Sequence, residues 1–109
     1  MFKTLITLII LTTNYAWAEG SSQLIIDVRT ESEWNAGHLA RAIHLPLDIF
    51  EQNIASLVED KQQIVYLYCR SGNRSGKALQ IMQGLGYVNA KNAGGVGDAS
   101  QLLEIRIVN

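Results

Sequence analysis

The chain has 109 residues, 48% of them hydrophobic, and its 9 basic and 10 acidic side chains leave a net charge of −1 at pH 7. This length suffices for one small core and not for two domains. The near-neutral charge argues against nucleic acid or an anionic membrane as the main partner, and a single cysteine excludes an intrachain disulfide.

Residues 1–18 have the pattern of a secretory signal peptide. Lys3 supplies a positive charge, residues 5–11 form a short apolar core, and residues 16–18 are the small-x-small cleavage site Ala-Trp-Ala. A membrane anchor is the alternative, but it needs about 20 largely apolar residues, and polar residues interrupt this run. We therefore expect signal cleavage, no membrane association of the mature chain, a periplasmic location and one domain over residues 19–109.

Short apolar runs then alternate with helical patterns, which is typical of an α/β protein with a parallel sheet and right-handed crossovers. The predicted strands cover residues 24–28, 42–44, 64–68 and 88–92. The first predicted helix starts at residue 30 or 32 and ends at residue 35, and the others cover residues 47–58, 77–85 and 99–106. The helix over residues 47–58 has the clearest amphipathic pattern, with Asp48 as its N-cap and an inward face formed by Ile49, Phe50, Ile54, Leu57 and Val58.

The only cysteine, Cys69, follows the third predicted strand and precedes a short glycine-containing loop over residues 70–76. Ligands of open α/β sheets bind beyond the carboxyl ends of the strands. Backbone N–H groups of so short a loop can surround one point, and the next helix adds a partial positive charge. Arg70 and Arg74 supply cations. Such surroundings lower a thiol pKa from about 8.5, so we predict a reactive thiolate in an anion cradle instead of an inert buried cysteine.

Four motifs, in this order, resemble those of rhodanese-type sulfurtransferases. The motifs are Asp-Val-Arg at residues 27–29, Gly-His-Leu-Ala-Arg-Ala-Ile-His-Leu-Pro at 37–46, Cys-Arg-Ser-Gly-Asn-Arg-Ser-Gly at 69–76, and Leu-Gly-Tyr at 85–87 with Asn-Ala-Gly-Gly at 92–95. The chain is most similar to exported single-domain members from enteric bacteria. The resemblance implies a rhodanese-like α/β fold, in which a small parallel sheet of four to five strands is flanked by helices on both faces. Arg41 stands where the family usually has Gly, and His44 where it usually has Asn.

The resemblance also implies the chemistry. Cys69 would be the catalytic nucleophile that takes sulfur from a small anionic donor such as thiosulfate and passes it to cyanide or a thiol acceptor through a persulfide. This reaction needs no metal or organic cofactor. The implied substrate-binding residues are those of the loop: Arg70, Ser71, Gly72, Asn73, Arg74 and Ser75. Nothing in the pattern requires an oligomer, and we expect a monomer.

Two further residues, Asp27 and Arg29, are expected to support the site without entering the reaction. We expect Asp27 to order neighbouring amides or an arginine, and Arg29 to pair with an acid such as Glu33. His38 matches the histidine of the Gly-His turn in the family motif. The resemblance therefore favours a structural hydrogen bond for His38 over a role as general base.

Two other functions compete with sulfur transfer. Related phosphatases and arsenate reductases place five residues between their cysteine and arginine, whereas four separate Cys69 from Arg74; the phosphate cradle would be one residue too short. A non-enzymatic persulfide carrier would need the same loop, and only turnover distinguishes it from an enzyme.

Overall fold

The computed structural model describes residues 23–109, so the predicted signal peptide over residues 1–18 lies outside the described residues. The strands of this part are β1 (Leu24–Asp27), β2 (His38–Leu39), β3 (Ile43–His44), β4 (Val65–Cys69), β5 (Ala90–Gly95) and β6 (Ile107–Val108). Its α-helices are α1 (Glu31–Asn35), α2 (Phe50–Leu57), α3 (Asn73–Gly84) and α4 (Val96–Leu103).

A four-stranded sheet in the order β3-β1-β4-β5 forms the centre of the fold, and its neighbouring strands are all parallel. Strands β2 and β6 form a separate antiparallel pair. The α/β architecture expected from the sequence, with a four-stranded parallel sheet between helices, is confirmed.

Side chains of the central strands alternate between two apolar clusters, one on each face of the sheet. Ile26, Leu67 and Cys69 join the cluster that includes Phe50 of α2 and Met82 of α3. The opposite cluster contains Ile25, Tyr68, Leu39, Ala93 and Ala99. The cysteine therefore lies on the α2 and α3 face, at the carboxyl end of a central strand.

The last predicted strand and the last predicted helix were placed wrongly along the chain. Strand β5 covers Ala90–Gly95 instead of residues 88–92, and α4 covers Val96–Leu103 instead of 99–106. Val88 has a β-branched side chain of the kind common in strands, but it is 64% exposed and lies outside β5. Strand β5 instead extends through small residues to Gly95, which pairs with Cys69 of β4. The backbones approach so closely at Gly95 that a side chain would not fit there.

The helix predicted over residues 47–58 is also different in detail. Leu47–Ile49 form a single 3₁₀ turn, α2 starts at Phe50, and its N-terminus has no side-chain cap, so the N-cap role expected of Asp48 is wrong. Only the i, i+4, i+8 stripe of Phe50, Ile54 and Val58 is buried. Ile49 and Leu57 lie beside that stripe and are 45% and 39% exposed.

Arg41, which stands where the motif usually has Gly, adopts a backbone conformation that favours glycine. Arg41 has a φ of 75°, in the left-handed region that a residue without Cβ adopts at no steric cost. The turn between β2 and β3 therefore keeps a conformation suited to glycine, with an arginine in it.

Candidate active site

Cys69 is the last residue of β4 and is completely buried. Its Sγ accepts hydrogen bonds from the backbone N–H of Gly72 (3.0 Å), the backbone N–H of Ser75 (3.5 Å) and the Ser75 hydroxyl (3.4 Å). Of the predicted loop residues, Gly72 and Ser75 therefore contact the sulfur directly.

The loop itself is shorter than the sequence pattern predicted, because α3 starts at Asn73 and not at residue 77. Only Arg70, Ser71 and Gly72 separate β4 from the helix. Asn73, Arg74 and Ser75 form the first helical turn, whose backbone N–H groups have no partner within the helix. The sulfur lies against that positive end of the helix.

Two glycines allow this tight connection. Gly72 is the N-cap of α3 and has a φ of 99°, which a residue with a Cβ rarely adopts. At Gly95 in β5, an added Cβ would lie 2.4 Å from the carbonyl oxygen of Arg70. The backbone of β5 therefore packs directly against the backbone of the loop, and this contact fixes the position of the loop.

These contacts control the ionisation of the thiol. Burial raises the pKa of Cys69, but hydrogen bonds from the Ser75 hydroxyl and from the backbone N–H groups of Ser75, Ser71 and Gly72 outweigh burial and lower the pKa from 9.0 to about 7. The thiolate form is therefore accessible near neutral pH. Hydrogen-bond donors are the main cause of the lowered pKa. The sequence pattern predicted that Arg70 and Arg74 would lower it as well.

Arg74 forms an ion pair with Glu33 that links α3 to α1. Its two terminal nitrogens donate to the two carboxylate oxygens at 2.8 and 2.9 Å. The bonds from Arg74 lower the pKa of Glu33 to about 2 in spite of its partial burial, and the backbone and hydroxyl of Thr30 add to this effect. Arg74 also lines a cavity of about 610 Å³, whose lining includes Val28, Thr30, Pro46 and Leu47.

The predicted pairing of Arg29 with Glu33 is wrong, because Arg29 binds Asp27. The Arg29 side chain is 7% exposed, and its Nη2 donates to Asp27 Oδ2 at 2.8 Å and to the carbonyl of Gly37 at 2.6 Å. The Asp27 carboxylate also accepts the backbone N–H of Arg29 at 2.9 Å. The pair closes the turn after β1 and ties it to the segment before β2.

Both histidines stack on Trp34 and hydrogen-bond to backbone carbonyls. His38 lies 3.5 Å from the indole ring, centroid to centroid, and its Nδ1 contacts the Trp34 carbonyl at 2.9 Å. His44 lies 4.8 Å from the same ring, and its Nε2 contacts the Arg29 carbonyl at 2.8 Å. Within residues 23–109, no group of three or more His, Cys, Asp or Glu residues is placed to hold a metal ion.

Asn92 of β5 also lies in the candidate site, although the sequence pattern predicted no role for it beyond its place in the Asn-Ala-Gly-Gly motif. Its Nδ2 donates to the carbonyl of Gly72 at 3.0 Å, and its Oδ1 accepts the Ser75 hydroxyl at 2.7 Å and the Gly94 N–H at 2.9 Å. A polar residue near the carboxyl end of the strand that neighbours the cysteine strand was the available signal.

Residues 12–96 match the family model described as the rhodanese-like domain. The chain belongs to this family. The chain is 40% identical over 73 residues to the thiosulfate sulfurtransferase PspE of Escherichia coli K12, a match that covers 67% of this chain and 70% of that protein. A tRNA uridine(34) hydroxylase of Sodalis glossinidius is 32% identical over 84 residues, which are 73% of this chain but only 24% of the relative.

Solved structures support the same family. A rhodanese with anions from E. coli superposes with a TM-score of 0.72 at 34% identity, covering 80% of this chain and 98% of that one. A Rhodanese_3-like domain from Anabaena, at 22% identity and a TM-score of 0.67, shares the fold. The rhodanese-like fold predicted from the motifs is therefore confirmed. None of the helices in the described part of the chain has the length and apolar character needed to cross a membrane.

Proposed function

We propose that this protein is a thiosulfate sulfurtransferase that carries sulfane sulfur as a persulfide on Cys69. The observation that carries the proposal is the position of Cys69 Sγ among the donors of Gly72 and Ser75, which lower the thiol pKa to about 7. The similarity to the E. coli enzyme named thiosulfate sulfurtransferase supports the same activity.

The reaction would proceed as a double displacement at sulfur. The Cys69 thiolate attacks the outer sulfur of thiosulfate, the bond between that sulfur and the sulfonate breaks, and sulfite leaves with the electron pair. A cyanide or thiolate acceptor then attacks the terminal sulfur of the persulfide. The sulfur–sulfur bond breaks, its electron pair returns to Cys69, and thiocyanate or an acceptor persulfide is released. Neither step requires a metal or an organic cofactor.

The loop would stabilise the charge that passes between these sulfurs. The N–H groups of Ser71, Gly72 and Ser75 act on the Cys69 thiolate already, and removal of one preorganised donor of this kind typically costs about 3–4 kcal/mol of transition-state stabilisation. Arg70 is exposed on the loop and would meet the sulfonate of the donor. Arg74, bound to Glu33, would complete the positive rim together with the start of α3 at Asn73.

The decisive experiment measures thiocyanate production from thiosulfate and cyanide by the purified chain lacking residues 1–18. We expect turnover by the wild type and none by Cys69→Ser, while Ser56→Ala, at an exposed position of α2 away from the loop, retains activity. Mass spectrometry after thiosulfate treatment should find one added sulfur atom on Cys69. A persulfide without turnover would support a carrier instead, and the absence of both would refute the proposal. Hydrolysis of an aryl phosphate should be absent.

We also propose that the protein is exported and that its functional form starts at Glu19. The positive residue, the apolar run and the Ala-Trp-Ala site at residues 16–18 support this. Expression in a Gram-negative host should yield a periplasmic product whose first residue, by N-terminal sequencing, is Glu19. A cytosolic product that retains Met1 would contradict export.

A further inference from the structure

The Asn92 side chain makes three hydrogen bonds, two to the start of α3 and one within its own strand. It contacts Gly72 at the start of α3, Ser75 one turn further on, and Gly94 in its own strand. These contacts also fix the orientation of the carboxamide, because the Gly94 N–H can only donate and so faces the amide oxygen, whereas the Gly72 carbonyl can only accept and so faces the amide nitrogen. The oxygen of Asn92 must therefore face the Ser75 hydroxyl.

This orientation places the Ser75 hydroxyl between two acceptors. Its oxygen lies 2.7 Å from Asn92 Oδ1 and 3.4 Å from Cys69 Sγ, yet a hydroxyl carries a single proton. Asn92 Oδ1 can only accept, so the shorter contact takes the proton while the sulfur is a neutral thiol, and a lone pair of Ser75 faces the S–H group. A thiolate or a persulfide anion cannot donate, and it competes with Asn92 for the same proton.

We propose that Asn92 is a positioning residue for sulfur transfer, which holds Gly72 and Ser75 against Cys69. The Ser75 hydroxyl keeps its proton throughout: it donates to Asn92 Oδ1 while the sulfur is a neutral thiol and turns to donate to the sulfur when the sulfur is an anion. The proposal rests on the proposed function for its role in catalysis. Ser75 is completely buried with Asn92 in place, so its hydroxyl has no contact with bulk water in the intact protein. The lowered pKa of Cys69, to which the Ser75 hydroxyl contributes, fits this arrangement.

The test follows the pH dependence of Cys69 alkylation by iodoacetamide, which reports the thiolate and needs no sulfur donor. Cys69 is the only cysteine, so the signal belongs to one site. Asn92→Asp should raise the alkylation pKa by about one pH unit, because the carboxylate binds the Ser75 proton more strongly and cannot donate to Gly72. The matched control is Asn89→Asp, which adds the same charge where the amide contacts only the Gln62 carbonyl; it should leave the alkylation pKa nearly unchanged.

A double-mutant cycle separates action through Ser75 from a simple charge effect. The pKa shift caused by Ser75→Ala is measured with Asn92 present and in an Asn92→Ala background, and we expect the two shifts to differ by about half a pH unit or more. Asn92→Ser takes the place of Asn92→Ala if that variant does not fold. Equal shifts in the two backgrounds, or an unchanged pKa in Asn92→Asp, would overturn the proposal.

The alkylation assay and the thiocyanate assay fail independently. If alkylation responds to Asn92 but no variant turns over thiosulfate, the positioning role stands and the sulfurtransferase function falls. If the wild type turns over thiosulfate and Asn92→Asp alters neither the alkylation pKa nor the pH profile of turnover, the positioning role falls alone.

Discussion

At the residue scale, the ionisation of the Cys69 thiol depends more on hydrogen-bond donors than on formal charges. Burial alone would raise the thiol pKa, and the bonds from Ser75, Ser71 and Gly72 reverse this effect. Arg74 beside the loop is bound to Glu33. A buried sulfur surrounded by fixed dipoles gains more from them than a surface sulfur gains from solvated cations.

Loss of the Ser75 hydroxyl should therefore raise the Cys69 pKa. We expect Ser75→Ala to move the pKa upward from about 7 by about one to two units, because a hydrogen bond to a charged group contributes about 1.5–3 kcal/mol. Thiolate absorbance at varying pH measures the shift. Ser71→Ala removes an exposed hydroxyl from the same loop and serves as the control; equal shifts in both variants would contradict the prediction.

The lowered pKa also predicts a pH-dependent stability. The thiol pKa is about 7 in the folded chain against 9.0 without its partners, so between these values the unfolded state binds more protons and the free energy of unfolding rises with pH. The contribution is complete above about pH 9 and is lost below about pH 7.

Urea unfolding under reducing conditions at about pH 6 and about pH 9 measures this contribution. The stability of the wild type should increase relative to Cys69→Ser as pH rises, and subtraction of the variant removes the effect of all other titrating groups. A difference that is constant over this pH range would show that Cys69 has no lowered pKa in the folded protein.

At the element scale, the position of the active-site loop depends on its contact with β5. Gly95 lies opposite Cys69 in the β4–β5 pairing, and its Cα approaches the Arg70 carbonyl so closely that a Cβ would collide with it. The loop is thus held from one side by β5 and from the other by the first turn of α3. Movement of either element would displace the donors from the sulfur.

Gly95→Ala should destabilise the protein by about 1–3 kcal/mol, because the backbone of Arg70 must shift to admit the methyl group. It should also slow Cys69 alkylation at neutral pH. The control, Gly97→Ala, lies two residues further on in α4, where an added Cβ would meet nothing within 4 Å. It should be neutral or stabilising by up to about 1 kcal/mol. Similar denaturation midpoints for the two variants would contradict this account.

At the scale of the whole molecule, Tyr68 connects the central sheet to the small β2–β6 pair. Tyr68 lies in β4, directly before the cysteine, and is completely buried. Its hydroxyl oxygen accepts the backbone N–H of Leu39 in β2 at 3.0 Å. Burial raises the pKa of the phenol, so it stays neutral over the whole physiological range.

Tyr68→Phe should lower the free energy of unfolding by about 1–3 kcal/mol, because the buried Leu39 N–H loses its acceptor. Tyr66→Phe, on the same strand but partly exposed, should change it by less than about 0.5 kcal/mol. Chemical denaturation of both variants tests the difference. If Tyr68→Phe is as stable as the wild type, the hydroxyl is not the link between the two sheets.

Much of this molecule follows from local sequence. The strand pattern at residues 24–28 and 64–68 is decisive because buried parallel strands are continuous apolar runs, and β1 and β4 lie within one residue of these bounds. The pattern also located Cys69 at the end of a strand and the N–H groups of its loop. The strand within residues 88–95 was harder to predict, because the small and polar side chains of β5 have no pattern typical of a strand. This segment becomes a strand because it pairs with β4.

The sequence by itself determined the α/β class, the family motifs and the position of Cys69 at the end of a strand, since each depends on residues close together in the chain. Only the tertiary structure decided that Glu33 pairs with Arg74 and that Asn92 contacts both Gly72 and Ser75. Glu33 and Arg74 lie 41 residues apart, and Ser75 and Asn92 lie 17 apart. No local pattern records such pairs, because the packing of helices on the parallel sheet brings them together.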